Sequence, residues 1–174
     1  MADLYVEGLY EIIPLKEFRN TDKVKFHILP TEKISKIDAI DRVEHSKGAI
    51  SPGRVGDVER PWYCHKAQTD NLLVFKGKRI TELYTPKHGK IETFTVTPEY
   101  IEKDGNIYFE GPAILSWPPF VFHRVTTSDE GSLSINIAVH LDGFSLKDNF
   151  DIYSVDIQTG QSIVIRQGHL DQQY

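Results

Sequence analysis

Two short stretches carry side chains able to do chemistry together. In "RPWYCHKAQTDNLLVFKG" (60–77), His65 stands inside strand-like text and is followed by Gln68 and Asp70. In "GPAILSWPPFVFHRVTT" (111–127), His123 follows Pro118 and precedes Thr127. Imidazoles and carboxylates move protons near neutral pH. Two imidazoles with one carboxylate also make a facial set for a divalent first-row metal, with positions left open for substrate. In a strand, Tyr63, His65 and Ala67 share one face, and Val121, His123 and Val125 share another. A closed barrel brings such inward faces within reach of one ion or ligand. Asp70 is a shorter arm than a glutamate, so its backbone must come closer. Gln68 adds an amide oxygen and Tyr63 a phenol, both poorer metal ligands at neutral pH.

Strands are what the chain supplies to hold these groups. "SLSINIAVHL" (132–141) alternates cleanly, with Leu133, Ile135, Ile137, Val139 and Leu141 on one face and Ser134, Asn136, Ala138 and His140 on the other. "NLLVFKG", "KRITELYT", "KIETFTV", "NIYFEG", "AILSW", "VFHRVTT", "FDIYSVDI" and "QSIVIRQG" are shorter runs rich in Val, Ile, Thr, Tyr and Phe, bounded by turn residues. "QTGQ" (158–161) and "SDEGS" (128–132) read as hairpin turns. "TPEYIEKDG" (97–105) allows one helical turn behind Thr97 and Pro98. "TEKISKIDAIDR" suits a short helix or an extended segment equally. No repeat or linker appears, so one domain is expected over residues 1–174. It divides into an N-terminal extension packing on the barrel (1–53), a motif-bearing barrel (54–142) and a C-terminal hairpin (143–174) that pairs with the main sheets. Short strands with turns between them indicate an all-β sandwich or barrel.

Composition narrows the partners. The 174 residues include 20 Lys and Arg against 25 Asp and Glu, a net charge of −5, and "KGKR" (76–79) is the longest basic run. That excludes a nucleic-acid footprint. No apolar stretch reaches the length of a membrane span, and the acidic start does not resemble a signal peptide. The single cysteine, Cys64, forms no intrachain disulfide and fits the cytoplasm. It points away from Tyr63 and His65 and reads as a packing residue rather than a nucleophile. His140 lies on the polar face of its strand, which turns either into a pocket or into solvent. His27, His45, His88 and His169 occupy turn-like contexts and read as surface. Arg54 and Arg60, in the loop before His65, are placed to meet an anionic substrate. Trp62, Trp117, Phe120 and Phe122 either pack the core or wall a site.

The two motifs together resemble those of the cupin family, RmlC-like jelly-roll β-barrels. The first cupin motif has His-x-His, then Glu, then six residues to glycine; here Tyr63-Cys64-His65 is followed by Asp70 and Gly77. The second has Pro-x-Gly-x-x-His and then Asn; here Pro118 leads to His123, with Thr127 in the Asn position. The resemblance spans residues 54–142 and implies a double-stranded β-helix with little helix, and a homodimer. It also implies a divalent metal (Zn, Ni, Fe or Mn) on His65, His123 and Asp70, with one motif-one histidine replaced by Tyr63.

The expectation from this resemblance is a pocket for a small molecule, with Gln68, His140 and Arg60 contacting the ligand. Metal-dependent cupins include dioxygenases, isomerases and decarboxylases. The same strand also looks like that of metal-free sugar-nucleotide epimerases and ketoisomerases. There His65 serves as base, with Tyr63 or His123 as the donor to the enolate oxygen. A non-catalytic ligand-binding module is the third reading.

Overall fold

A computed structural model describes residues 3–170. In chain order the strands are β1 (Tyr5–Val6), β2 (Tyr10–Pro14), β3 (Lys16–Asn20), β4 (Lys25–Ile28), β5 (Ala39–His45), β6 (Ile50–Ser51), β7 (Trp62–Cys64) and β8 (Gln68–Tyr84). They continue as β9 (Glu92–Val96), β10 (Tyr100–Lys103), β11 (Asn106–Glu110), β12 (Ala113–Trp117), β13 (Phe122–His140), β14 (Ile152–Val155) and β15 (Ser162–Arg166). Helix is confined to two 3-10 turns, Thr31–Lys33 and Gly168–Leu170. No described helix is long and apolar enough to cross a membrane. The fold is all-β, an antiparallel jelly roll.

Two long strands organise it. β8 and β13 pair antiparallel along nearly their whole length, from His123↔Leu83 at one end to His140↔Gln68 at the other. β12, β2 and β1 extend the sheet from one side of β8, β5 and β6 pair with β13, and β7, β14 and β15 follow beyond. The N-terminal stretch therefore does more than pack on a barrel, because β2 and β5 are strands of the sheet. The tail forms the expected hairpin, and β14 pairs with β7 at Ile152↔Tyr63.

"SDEGS" is not a hairpin turn. The ladder steps from Thr127↔Arg79 to Ser132↔Gly77, so residues 128–131 bulge while both strands run on. Gly77 and Gly131 make that bend possible. Both have positive φ, and a Cβ on Gly77 would fall 2.1 Å from the Gly131 carbonyl oxygen. The helical turn expected at 97–105 is replaced by a tight turn. The Thr97 hydroxyl accepts hydrogen bonds from the Glu99 and Tyr100 amides, and the chain re-enters the sheet as β10.

The alternation in β13 separates two environments. Ile137 and Val139 pack with Ile13, Ile34, Leu73 and Ile114 on one face. The polar face, with Ser134 and Asn136, turns inward, so here the apolar side of the strand is not the ligand side. Cys64 packs with Trp62, Tyr84, Phe122 and Tyr153, and burial pushes its thiol up to about 12. That confirms a packing role and an inert thiol.

Candidate active site

The jelly roll encloses a cavity of about 280 Å³ between its sheets. Tyr63 comes from β7, Gln68, Asp70, Leu72 and Arg79 from β8, Trp117 from β12, and His123, Val125 and Asn136 from β13. β7 ends at Cys64, and residues 65–67 make the turn into β8. This turn shifts the side-chain parity. Tyr63 and His65 line the cavity, then Gln68, Asp70 and Leu72 do, while Ala67 is buried outside the lining. The shared face expected for Tyr63, His65 and Ala67 thus breaks at Ala67, because the strand does not run through it.

Asp70 is the hub. Its Oδ1 accepts from Gln68 Nε2 at 2.7 Å and from Asn136 Nδ2 at 2.7 Å. Its Oδ2 lies 3.2 Å from His65 Nε2 and 3.9 Å from His123 Nε2. Gln68 is held in turn by Asn149, whose Nδ2 donates to Gln68 Oε1 at 2.9 Å. His65 Nδ1 donates to the Asn149 carbonyl, and His123 Nδ1 lies 3.1 Å from the Val121 carbonyl as its acceptor. The two imidazoles stand 4.7 Å apart between ring centres. Trp117 packs on His123, and Phe150 packs edge-on to His65.

These surroundings drive the two histidines apart. Burial disfavours charge on His65, but the Asp70 carboxylate and its hydrogen bond outweigh burial and raise its pKa. Burial also works against ionised Asp70, yet His65, His123 and Gln68 outweigh it and hold the carboxyl well below the usual carboxylate range. His123 is pushed down to about 3 by burial and then by the His65 cation. The raised pKa favours the charged form of His65, whose ring nitrogens face Asp70 Oδ2 and the Asn149 carbonyl. His123 is neutral, and its Nε2 lone pair faces the cavity.

Two expected ligand contacts fall elsewhere. His140 stacks on Phe144 with ring centres 3.5 Å apart and is not in the cavity lining. It sits at the far end of β13, where its amide donates to Asp38 Oδ2 at 2.7 Å. Arg60 pairs with Glu82 at 2.9 Å, and its carbonyl accepts from Arg124, whose guanidinium lies over Trp62. It is spent on bracing the loop. Arg54 bonds within its own loop, to Gly56 and Glu59. Among the residues read as surface, His45 lines the cavity, because its position on β5 opposite Ser132 turns it inward. His88 is half-buried against Glu92.

Sequence reasoning missed Arg79, His45 and Phe150 as site residues, and Asn149 as the support for Gln68 and His65; Trp117, read as packing the core or walling a site, lines the cavity. The alternation of 132–141 already placed Asn136 on a polar face, which was the available signal for it. Phe120 occupies the motif position where the cupin pattern has glycine, and its φ is +65°, the left-handed region glycine favours. Its amide donates to the His65 carbonyl at 2.8 Å, tying the second motif to the first.

No protein-family model matches the chain, and no curated protein sequence is similar to it. Solved structures do resemble it. One is a variant of a sugar 3,4-ketoisomerase from Thermoanaerobacterium thermosaccharolyticum in complex with TDP-4-keto-6-deoxyglucose. It is 13% identical, covers 80% of this chain and 86% of its own, and has a TM-score of 0.56. A dTDP sugar isomerase from Desulfovibrio desulfuricans G20 is 19% identical over 79% of this chain and 82% of its own, with a TM-score of 0.56. A dTDP-4-dehydrorhamnose 3,5-epimerase from Sulfolobus tokodaii is 18% identical over 83% of this chain and 77% of its own, with a TM-score of 0.57. What the chain shares with these enzymes is the fold, an antiparallel β jelly roll.

Proposed function

We propose that this chain is an isomerase or epimerase that moves a proton beside a carbonyl on a sugar-sized substrate. The sugar of a nucleotide sugar is the substrate class that the neighbours' names suggest. The observation that carries this reading is the pair of histidines 4.7 Å apart whose surroundings favour opposite protonation states. Environments that push two titratable groups apart assign the acid and the base.

The roles are the reverse of those expected from the sequence. Charged His65 has no lone pair with which to act as base, so it is the acid: the substrate carbonyl oxygen replaces Asp70 Oδ2 as acceptor of the Nε2–H and takes that proton as negative charge develops there. His123 Nε2 takes the proton from the adjacent carbon. A base so far depressed is weak in the resting site. Part of that depression comes from the His65 charge, so His123 becomes more basic as His65 gives up its proton. Asp70 stays ionised throughout, and the Asn149 carbonyl keeps the His65 ring in place through Nδ1. Protonation of the former carbonyl carbon by His123, with the adjacent hydroxyl giving its proton back to His65, isomerises the substrate; protonation of the original carbon from its opposite face, with the enol oxygen giving its proton back to His65, epimerises it. The step requires charged His65 and neutral His123, so activity falls as pH rises through the raised pKa of His65.

Incubation with TDP-4-keto-6-deoxyglucose in D2O, followed by proton NMR, tests this reading. Deuterium should enter beside the carbonyl, and His123→Gln should slow the exchange by ~10²–10⁴-fold. Unlabelled substrate from the parent protein overturns the assignment for this class.

A second reading rests on a different observation. Each imidazole faces a backbone carbonyl with Nδ1, leaving both Nε2 atoms and Asp70 Oδ2 to converge. These ligand atoms lie within 4.8 Å of one another. Orientation of imidazoles by such outer partners is usual at metal centres, so the residues fit a divalent ion. His65 Nε2, His123 Nε2 and Asp70 would hold it after His65 loses its proton, and it would polarise a substrate oxygen as a Lewis acid. Calorimetry with Zn²⁺ or Ni²⁺ separates the readings: a site built for metal binds one ion per chain and binds it more tightly in Tyr63→His. The homodimer expected from the family resemblance is tested by light scattering at micromolar concentration.

A further inference from the structure

We propose that the Arg79 end of the cavity is an oxyanion subsite, which holds a carboxylate or phosphoryl group of the ligand while the histidine end works on its carbonyl. The proposal deepens the isomerase reading by giving its substrate an acidic group, and it rests on that reading only through the shared cavity.

Arg79 is only 9% exposed and lines the cavity. Buried arginines ordinarily sit against carboxylates, because an unpaired buried charge is costly. Arg79 forms no ion pair among the described residues. Its Nη1 donates to the Ser134 hydroxyl at 2.9 Å, and its Nε has no hydrogen-bond partner. Asp70, the buried carboxylate whose charge acts on Arg79, forms no ion pair with it and already receives Gln68, Asn136 and His65. Asp41, the other carboxylate of the lining, is solvent-exposed.

The atoms around Arg79 are left open in the same way. His45 Nδ1, Thr81 Oγ1 and Ser132 Oγ are buried without partners. Register puts these groups on the inner faces of adjoining strands. Ser132 pairs with His45 across β13 and β5, and Thr81 pairs with the cavity residue Val125 across β8 and β13. Arg79 and Thr81, two residues apart on β8, share a face. Burial and the Arg79 charge push His45 down to about 4, which keeps the imidazole neutral beside the guanidinium. One fixed cation with hydroxyl and imidazole donors around it matches an oxyanion. Guanidinium binds either carboxylate or phosphate through paired N–H groups.

The Nε–H signal of Arg79, assigned by its disappearance in Arg79→Lys, is followed by ¹⁵N NMR during titration with acetate, with inorganic phosphate, and with chloride at matched ionic strength. A saturable shift with acetate assigns a carboxylate-bearing ligand, and one with phosphate assigns a phosphoryl-bearing ligand. Backbone amides of His45 and Ser134 should move with it, and Arg79→Met should weaken the effect about tenfold or more. His123→Gln should leave it unchanged. Shifts no larger than those from chloride overturn the subsite. If deuterium exchange persists in that case, the isomerase reading stands alone; a saturable anion shift without exchange leaves the subsite and removes the isomerase.

Discussion

At the His65 end of the cavity Asp70 receives hydrogen bonds from Gln68 and Asn136, Gln68 is held by Asn149, and both imidazoles face backbone carbonyls. At the Arg79 end the same two strands, β8 and β13, present Arg79 Nε, Thr81 Oγ1 and Ser132 Oγ with no partner at all. Asp70 and Arg79 are both buried, so the contrast is one of hydrogen bonding. The hydrogen-bonded network around Asp70 fixes its members and sets their protonation before any ligand arrives; of the lining at this end, Trp117 Nε1 has no partner among the described residues. An unsaturated one carries a desolvation cost that only a ligand, or water, removes. The first end is built to act and the second to hold.

Substitutions should therefore have opposite consequences at the two ends. The largest effect is expected for Asp70→Asn, which leaves the His65 charge buried without its partner. Stability should fall by about 3–5 kcal/mol in denaturant unfolding, and the His65 pKa, followed by NMR, should drop. Asn136→Ala should cost about 1–3 kcal/mol by the same measurement, because it removes a donor to Asp70 and the acceptor for the Asn71 amide.

A pH series sharpens the comparison further. His123 titrates near 6.5 when unfolded and about 3 when folded. Its neutral form thus contributes stability above the unfolded value, and this contribution is lost as pH falls from 6.5 toward 3. His123→Gln should flatten the dependence in that window by close to one proton, about 1.4 kcal/mol per pH unit. His65 has the opposite sign. Its contribution is full below 6.5 and fades as pH rises through its raised folded value.

The smallest change is expected for Arg79→Met, which replaces an unpaired cation with an apolar chain of similar volume. Stability should stay within about 1 kcal/mol of the parent or rise, even though the residue, like Asp70, is buried. A loss as large as that for Asp70→Asn would erase the distinction between the two ends.

The sequence made the fold class readable through period-two alternation, above all in 132–141, and the two motifs brought His65, Asp70 and His123 to one site. What stayed hidden has local physical causes. The bulge at 128–131 carries turn residues, and only pairing with one continuous partner, β8, distinguishes it from a hairpin. The turn at 65–67 shifts side-chain parity, so Gln68 replaces Ala67 on the inner face. Arg79 lay inside a basic run that reads as a solvated surface, and His45 beside a turn-like stretch; tertiary closure alone turns them inward. Asn149 supports His65 across a wide separation in sequence, which no local pattern encodes.

The bend at Gly77 and Gly131 also has a kinetic meaning. Because one ladder carries both ends of the cavity, neither exists until β8 has found β13 across the intervening segment 85–121. Closing a loop of that size costs entropy before the contacts return it, and topologies dominated by such distant pairings fold slowly. The search that creates the site is therefore the same search that limits folding. A side chain at Gly77, forced against the Gly131 carbonyl, would obstruct the ladder at its midpoint. Its effect should appear in the refolding rate as well as in the final stability, since the two halves of the ribbon must zip through that point.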